Sequence, residues 1–521
     1  MQWEKRPSIF TYILGNIDEN RFLTKEGQNL PDEEVRFKDA KMRWVPGGID
    51  GTFGHHGTVN NNPDLGKKVA ELIEEISRSN KIEHKIELYT ILSDDMVMDY
   101  IDSALNEIYQ LKLYPDPYLY NYSKWLAYES PDRGTVKFGI ALLGILQNYE
   151  DVKKILILGL QEEFTLFAMV AIENIVQEQE REHYLWEMGK KVNGWGRIHI
   201  VERLSGTENP EIMEWLLYEG YKNNIMYEYL AYICVMTGEL HIALKQEPIG
   251  EKLLLAASDL IIALINGGPA ENIDQYSKAA EVIQSYIAHI MNIFNHIEYL
   301  NTADSIRSYL EYEHHNWDEL SKNGWNKEIA KKIISDVKIY IKNPKWQEIT
   351  LSKLKSNDNK EFWLGQSAAR VLNIDIWNIH WKRLQEKSNE SSRWFQVIHR
   401  ITLERLNKVL EYAMKELPLE KIGTGPADEI GLGKKYNWHS CLDFVVQELK
   451  NFPRKGILLI LTALKSPVVR NRNMALNALS SWGEENRNDD ILNALNKAYE
   501  VEPVENVKVR IKKLLQNEED I

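Results

Sequence analysis

The amino-acid sequence predicts an all-α protein in which pairs of helices stack as a helical-repeat solenoid behind an irregular N-terminal extension. Apolar residues recur at three- and four-residue steps from about residue 65 onward, as in Val69, Leu72, Ile73 and Ile76. This is the spacing of one helix face. No stretch of alternating apolar and polar residues leads into an Asn-Gly or Asp-Gly hairpin turn, which is the pattern that a large sheet would need.

The length of the chain favours an array over a single core. At 521 residues it exceeds the size at which one hydrophobic core usually stops growing. A degenerate array of helix pairs explains this length, because each pair buries its apolar face only against its neighbours. An irregular all-helical globule is the alternative.

The clearest repeat lies near the C-terminus. The apolar residues 457–464 predict one short helix, Pro467 marks a turn, and Ala475 and Ala478 belong to a second helix whose small side chains permit close packing. Pro467 suits the first turn of that helix, since its missing N–H would have no partner there. This order of elements resembles a HEAT repeat of about 40 to 47 residues, so we expect a HEAT/armadillo-like solenoid.

Differences in composition and apolar periodicity divide the chain into four segments. Residues 1–64 form an irregular extension rich in Gly, His, Asn and Pro, with loops and one short strand or helix. Residues 65–420 form the degenerate repeat array, residues 421–440 a Gly-rich insertion, and residues 441–521 the C-terminal HEAT-like helices.

Composition excludes several classes of function. The 63 Lys and Arg against 77 Asp and Glu give a net charge of −14, which disfavours nucleic-acid binding because phosphate neutralisation needs a basic face. The two cysteines fit neither a zinc site nor a disulfide framework. Apolar runs are too short for a signal peptide or for a transmembrane helix of about 20 residues. We therefore expect a cytoplasmic protein with no nucleic-acid partner and no transmembrane segment.

One segment departs from the helical pattern. Residues 44–57 contain five glycines, which permit positive φ and a close approach of the backbone to a ligand. Asp50, His55 and His56 offer metal-binding or acid–base groups, and Trp44 offers an aromatic surface. A structural loop that caps the solenoid, a ligand or partner contact and a metal site all stay open. Adjacent histidines on an extended backbone point to opposite sides, and spacing reveals no third ligand, so we assign no metal ligands.

A second Gly-rich segment, residues 423–433, contains two Gly-x-Gly pairs. It fails the dinucleotide fingerprint, because no Gly stands three residues after Gly425 or Gly433 and because the preceding residues are typical of a helix rather than a strand. An inter-repeat loop and a functional lid are both open. Trp438 and His439, directly after it, are candidate ligand or partner contacts, since long insertions in repeat arrays tend to lie on one face.

Around residues 43–56, which begin Arg43-Trp44-Val45 and end in His55-His56, the chain resembles bacterial limonene hydroxylases, and the likeness spans its full length. The resemblance implies a monooxygenase that oxidises the monoterpene limonene to carveol or perillyl alcohol. It also implies linked alcohol dehydrogenation to carvone or perillaldehyde, with NAD(P)H as cofactor. The resemblance identifies no catalytic residue in this sequence.

The residues themselves give this activity no support. Hydroxylation of an unactivated C–H bond by O₂ needs a haem, a flavin or a non-haem metal. We find no haem-thiolate loop, no reliable two-His-one-carboxylate spacing and no Rossmann fingerprint. The alternative is a noncatalytic helical-repeat scaffold that binds a protein or peptide along its concave surface, and the residue-level physics favours this alternative.

Overall fold

The computed structural model describes residues 6–38, 43–57, 61–93, 96–113 and 116–516. Within these ranges the protein is all-helical, without a strand, and contains two isolated bridges, Ile17 with Leu23 and Glu429 with Val468. The predicted all-α class is confirmed. Parts of the expected N-terminal extension, residues 1–5, 39–42 and 58–60, lie outside the described residues. None of the described helices combines the length and apolarity needed to cross a membrane.

The chain divides into two compact units, Met1–Thr350 and Leu351–Ile521. The segment boundaries expected at residues 64, 420 and 440 stay predictions. The helices of the first unit are α1 (Ile9–Gly15), α2 (Glu33–Arg36), α3 (Gly48–His56), α4 (Pro63–Ser79), α5 (Ile82–Leu92), α6 (Ile101–Gln110), α7 (Pro117–Tyr128), α8 (Arg133–Leu146), α9 (Val152–Leu158), α10 (Glu162–Ile175), α11 (Glu178–Gly189), α12 (Trp195–Arg203), α13 (Pro210–Trp215), α14 (Ala231–Thr237), α15 (Leu240–Ala243), α16 (Glu251–Asn266), α17 (Ala279–Ile290), α18 (Ile297–Leu310), α19 (Trp317–Lys322) and α20 (Lys327–Ile341).

Helix α21 (Lys345–Lys353) runs across the division. The helices of the second unit are α22 (Asn359–Val371), α23 (Trp377–Glu386), α24 (Ser391–Ile398), α25 (Leu403–Glu416), α26 (Leu419–Ile422), α27 (Asn437–Glu448), α28 (Ile457–Leu464), α29 (Val469–Trp482), α30 (Asp489–Val501) and α31 (Glu505–Gln516).

Helices that are next but one in the chain pack side by side in the first unit. Such contacts join α4 to α6, α6 to α8, α8 to α10 and α10 to α12, and further along they join α14, α16, α18 and α20. The central helices α8 and α10 bury apolar residues such as Phe138, Leu142, Phe164 and Ile172 completely. The N-terminal helix α1 packs against α7 and α9.

In the second unit, helix α28 has the predicted bounds, but its partner α29 begins at Val469, two residues after Pro467. Pro467 thus lies in the turn and not in the first helical turn. The backbone explains the shift, because the N–H of Val469 donates to the carbonyl of Glu429 at 3.1 Å. The buried Arg472 also donates to the carbonyls of Ser466 at 2.8 Å and Pro467 at 3.1 Å, which fixes this turn.

Ion pairs join the described part of the N-terminal segment to α8. Arg6 binds the carboxylate of Asp132, just before α8, through two contacts of 2.6 and 2.8 Å. Arg133, the first residue of α8, binds Asp32 at 2.8 Å. Lys137, one helical turn later, binds Asp50 at 2.7 Å. The segment therefore contributes α1, α2 and α3 to the first unit.

Replacement of Lys137 by methionine tests the energetic weight of this anchoring. We expect Lys137→Met to lower the free energy of unfolding by about 3–5 kcal/mol, because removal of Lys137 leaves the buried carboxylate of Asp50 without its ion-pair partner. Lys68→Met is the matched control, since Lys68 and Glu87 form an exposed pair at 2.8 Å and such pairs contribute at most about 1 kcal/mol. Urea unfolding followed by circular dichroism measures both, and equal losses would contradict this account.

Candidate functional site

The Gly- and His-containing segment folds as helix α3, which corrects the expectation that residues 44–57 resist the helical pattern. Gly47 precedes the helix with φ of +67°, a conformation that glycine adopts without strain. Gly51 lies so close to the indole of Trp195 that an added Cβ would be 2.2 Å from a ring carbon. Glycines disfavour helices, so tertiary packing rather than intrinsic propensity stabilises α3.

A buried ion cluster holds the start of α3. Lys137 is fully buried, and its Nζ lies 2.7 Å from carboxylate oxygens of both Asp50 and Glu163. The backbone N–H of Gly47 donates to the second carboxylate oxygen of Glu163 at 2.9 Å. Burial alone would raise the pKa of Glu163, but Lys137 and Arg133 outweigh it and lower this pKa to about 2. For Asp50, burial dominates and raises the pKa.

Helix α12 supplies the other side of the site. Its N-terminus is capped by Glu162, which lies on α10. The carboxylate of Glu162 accepts hydrogen bonds from the backbone N–H groups of Asn193 at 3.1 Å and Gly196 at 3.4 Å. Burial raises the pKa of Glu162 to about 7 against the opposing effect of these hydrogen bonds. His199 and Glu202 are three residues apart and therefore share one face of α12.

Helices α3 and α12 bring three potential ligands together. The Nε2 atom of His55 lies 2.8 Å from one carboxylate oxygen of Glu202, and the Nδ1 atom of His199 lies 3.9 Å from the other. One ligand atom from each of the three side chains lies within 4.8 Å of the other two. Ligands about 2.1 Å from a tetrahedral zinc ion are about 3.4 Å apart. The observed separations bracket that value.

Hydrogen bonding orients His55 toward this centre. Its Nδ1 lies 2.9 Å from the carbonyl oxygen of Gly51, one turn earlier on α3. Metal-binding histidines almost always donate their second ring N–H to such an acceptor. The hydrogen bond to Glu202 raises the pKa of His55, and the bond to the Gly51 carbonyl acts in the same direction against the effect of burial. Burial has the opposite effect on His199 and lowers its pKa to about 4.

Aromatic rings surround the three polar groups. The ring of His55 lies 5.4 Å from that of Trp195 and 5.6 Å from that of Tyr229. The hydroxyl of Tyr229 is hydrogen-bonded to Nε2 of His56. The side chains of His55 and Glu202 retain 21% and 35% of their surface exposed, so solvent reaches the cluster. The arrangement is an accessible polar centre with an aromatic wall.

The sequence-predicted candidates fall in different places. His55 belongs to the cluster, His56 lies beside it through Tyr229, and Asp50 serves as a buried anchor. Trp44 lies at the surface, 47% exposed, with its ring 6.4 Å from that of Phe53. The geometry does not test the expectation of no metal, but the reason given for that expectation was wrong, because His55 and His56 lie on a helix and not on an extended backbone.

Trp438 and His439 lie on α27 in the second unit. The imidazole of His439 is buried, its ring lies 5.4 Å from that of Tyr436, and its backbone carbonyl accepts from Asn471 at 2.8 Å. The preceding Gly-rich segment leads into a short 3-10 turn, Lys434–Tyr436, and is anchored by the bridge of Glu429 with Val468. No strand–turn–helix unit suited to a dinucleotide occurs among the residues that the structure describes.

The sequence alone did not identify His199 and Glu202 as candidate ligands. Glu202 is 147 residues from His55 in the chain, and the pattern His-x-x-Glu on a helix is common on solvated faces. That pattern, together with the aromatic Trp195 one turn earlier, is the sequence feature that could have indicated the two ligands. It becomes specific only after α3 is known to pack against α12.

No known protein family matches the chain, and no curated protein matches it in sequence. The resemblance to limonene hydroxylases and to HEAT repeats stays a prediction.

Two glycines of α3 provide a matched test of the close packing on Trp195. We expect Gly51→Ala to lower the free energy of unfolding by about 1–3 kcal/mol, because the new methyl group overlaps the indole ring. No atom lies within 4 Å of a Cβ added at Gly54, so Gly54→Ala should raise stability by about 0.5–1 kcal/mol through helix propensity. Urea unfolding compares the two, and a loss at Gly54 equal to that at Gly51 would rule out the packing explanation.

The raised pKa of Glu162 predicts a pH dependence of stability. Its value in the folded protein, about 7, exceeds the ordinary value of 4.5, so the folded protein binds this proton more tightly than the unfolded chain. The resulting stabilisation is complete below pH 4.5 and is lost as the pH rises through 7. We therefore expect Tm to fall less between pH 5 and pH 8 in Glu162→Gln than in the wild type. Glu208→Gln, at an exposed position, should keep the wild-type fall, and an unchanged fall in Glu162→Gln would refute the assignment.

Proposed function

We propose that the protein binds a divalent transition-metal ion through His55, His199 and Glu202, and that the ion is the centre of a metal-dependent enzyme. The observation that carries the proposal is the convergence of two imidazole nitrogens and one carboxylate from separate helices within 4.8 Å. Imidazole and carboxylate are ligands that zinc and iron accept in proteins. The contact of His55 with Gly51 supports the proposal, because it leaves Nε2 directed at the centre.

Three protein ligands favour a catalytic site over a structural one. Structural zinc sites are closed by four protein ligands, whereas catalytic sites keep a position for water or substrate. The partial exposure of His55 and Glu202 supplies access to that position. Glu202 would balance part of the ionic charge, and the neutral form of His199 would donate its lone pair.

The reaction that we propose is the oxidation of a small apolar molecule, with limonene as the candidate substrate from the resemblance. Two histidines and one carboxylate form the ligand set of non-haem iron(II) oxygenases, and bound iron supplies the oxygen chemistry that side chains lack. In the net reaction, one oxygen atom of O₂ enters a C–H bond to give carveol or perillyl alcohol. The other leaves as water, which takes two electrons and one proton from NAD(P)H, as a hydride equivalent, and one further proton from solvent.

The chain's own residues would bind and orient such a substrate. Trp195 and Tyr229 present ring surfaces beside His55, and aromatic surfaces suit an apolar ligand. The hydrogen-bonded pair of His56 and Tyr229 holds an exchangeable proton next to the centre. The described residues offer no dinucleotide site, so a separate reductase would deliver the electrons of NAD(P)H, and no residue of this chain is assigned to the nicotinamide.

A second candidate function is a scaffold for a protein or peptide partner. Two observations favour it. In the second unit α26, α28 and α30 form one series of neighbours and α27, α29 and α31 another, which supports HEAT-like stacking of helix pairs. Next to α3, the side chains of Trp44, Val45 and Phe53 are 47%, 55% and 41% exposed, and exposed apolar clusters often mark interaction surfaces.

Metal titration tests the primary proposal. We expect chelator-treated wild-type protein to bind one equivalent of Co²⁺ with a visible spectrum of nitrogen and oxygen ligation. His199→Ala and Glu202→Ala should each weaken binding by about a hundredfold or more, since even outer-shell losses cost 10–100-fold. His183→Ala, at an exposed histidine on the neighbouring α11, is the control and should bind like the wild type.

If the wild type bound no stoichiometric Co²⁺, or if His199→Ala and Glu202→Ala bound Co²⁺ as tightly as the wild type, the metal site would be contradicted and the scaffold favoured. The substrate is tested separately with Fe²⁺-loaded protein, O₂, a chemical reductant and limonene, and product is detected by gas chromatography. Tight metal binding without carveol or perillyl alcohol would keep the metal site and reject limonene.

A further inference from the structure

The first unit contains a second concave site, separate in its residues from the histidine cluster. A cavity of about 830 Å³ opens beside α5 and α7, within the range of roughly 300–1,000 Å³ that is typical of small-molecule sites. The lining side chains include Ile82, Lys85, Ile86, Tyr118, Tyr122 and Trp125, together with one carboxylate, that of Glu129.

The cavity has an apolar and aromatic wall. The rings of Tyr122 and Trp125 lie parallel, 5.9 Å apart with an interplanar angle of 6°. Ile82, Ile86 and Tyr118 expose 49%, 39% and 49% of their surface. A ligand with a flat apolar body would cover these side chains and remove their surface from water.

The cation that lacks a carboxylate partner in this wall is Lys85. No carboxylate oxygen of the described residues lies within 4 Å of its Nζ, which instead lies 5.4 Å from the ring centroid of Tyr122. Partial burial lowers the pKa of Lys85. The other lining cation, Arg6, is already bound at both ends of its guanidinium fork to Asp132. Among the described lining residues, the cation without a carboxylate partner therefore lies beside the aromatic rings.

We propose that this cavity binds a small aromatic carboxylate, with its ring against Trp125 and the exposed isoleucines and its carboxylate on Lys85. The apolar wall supplies contact area, and the ammonium group supplies selectivity for an anion. A charge-assisted hydrogen bond from a half-buried lysine is stronger than one between neutral groups. Neither the metal site nor its proposed reaction enters this inference.

Calorimetric titration of the full chain with 1-naphthoate, and with the uncharged 1-naphthamide as its matched analogue, tests the proposal. We expect saturable binding of one naphthoate and binding of the amide that is at least tenfold weaker. Lys85→Met should weaken naphthoate binding about tenfold and leave the amide unchanged. Lys67→Met, at an exposed lysine of α4, should behave like the wild type.

Ile86→Glu provides a second variant at a solvent-exposed position that should fold normally. Its carboxylate would repel the ligand and should weaken naphthoate more than amide binding. Three results would overturn the proposal: no saturable binding by wild-type protein, equal affinity for the acid and the amide, or undiminished naphthoate binding in both Lys85→Met and Ile86→Glu.

Discussion

Lys137 lies fully buried between the carboxylates of Asp50 and Glu163, and this ion triad holds the start of α3 against α8 and α10. Desolvation of three charges is costly, so each needs its partners in place. A slip of α3 along α8 would separate Asp50 from Lys137 and leave the buried carboxylate of Asp50 without its ion-pair partner. The register of α3 is therefore fixed electrostatically.

That register determines where His55 lies. Asp50 and His55 are on the same short helix, so the anchoring of Asp50 places the imidazole against α12. The adjacent glutamates at the start of α10 have different partners, since Glu163 binds Lys137 and Glu162 caps α12. One turn of α10 thus positions both helices that supply the candidate ligands, and contact of Gly51 with Trp195 sets their separation.

The sequence predicted the parts of this structure that depend on local spacing. Three- and four-residue apolar steps gave the all-α class, and the apolar run at residues 457–464 gave α28 with its bounds. The glycine content of residues 44–57 predicted a non-helical segment, and this prediction was wrong because intrinsic propensity does not include the packing of Gly51 on Trp195. His55 was found from its residue type, whereas His199 and Glu202 became visible only through a contact between helices far apart in the chain. The start of α29 was missed for a similar reason, since it depends on the backbone of Glu429.

X-ray absorption at the metal edge of the Zn²⁺- or Fe²⁺-loaded protein tests the central claim most directly, because it reports the atoms around the ion. We predict a first shell of nitrogen and oxygen at about 2.0–2.2 Å, with the multiple-scattering signature of two imidazoles and loss of one imidazole in His199→Ala. A shell made of water alone, or one unchanged in that variant, would contradict the assembly of a metal centre by α3 and α12.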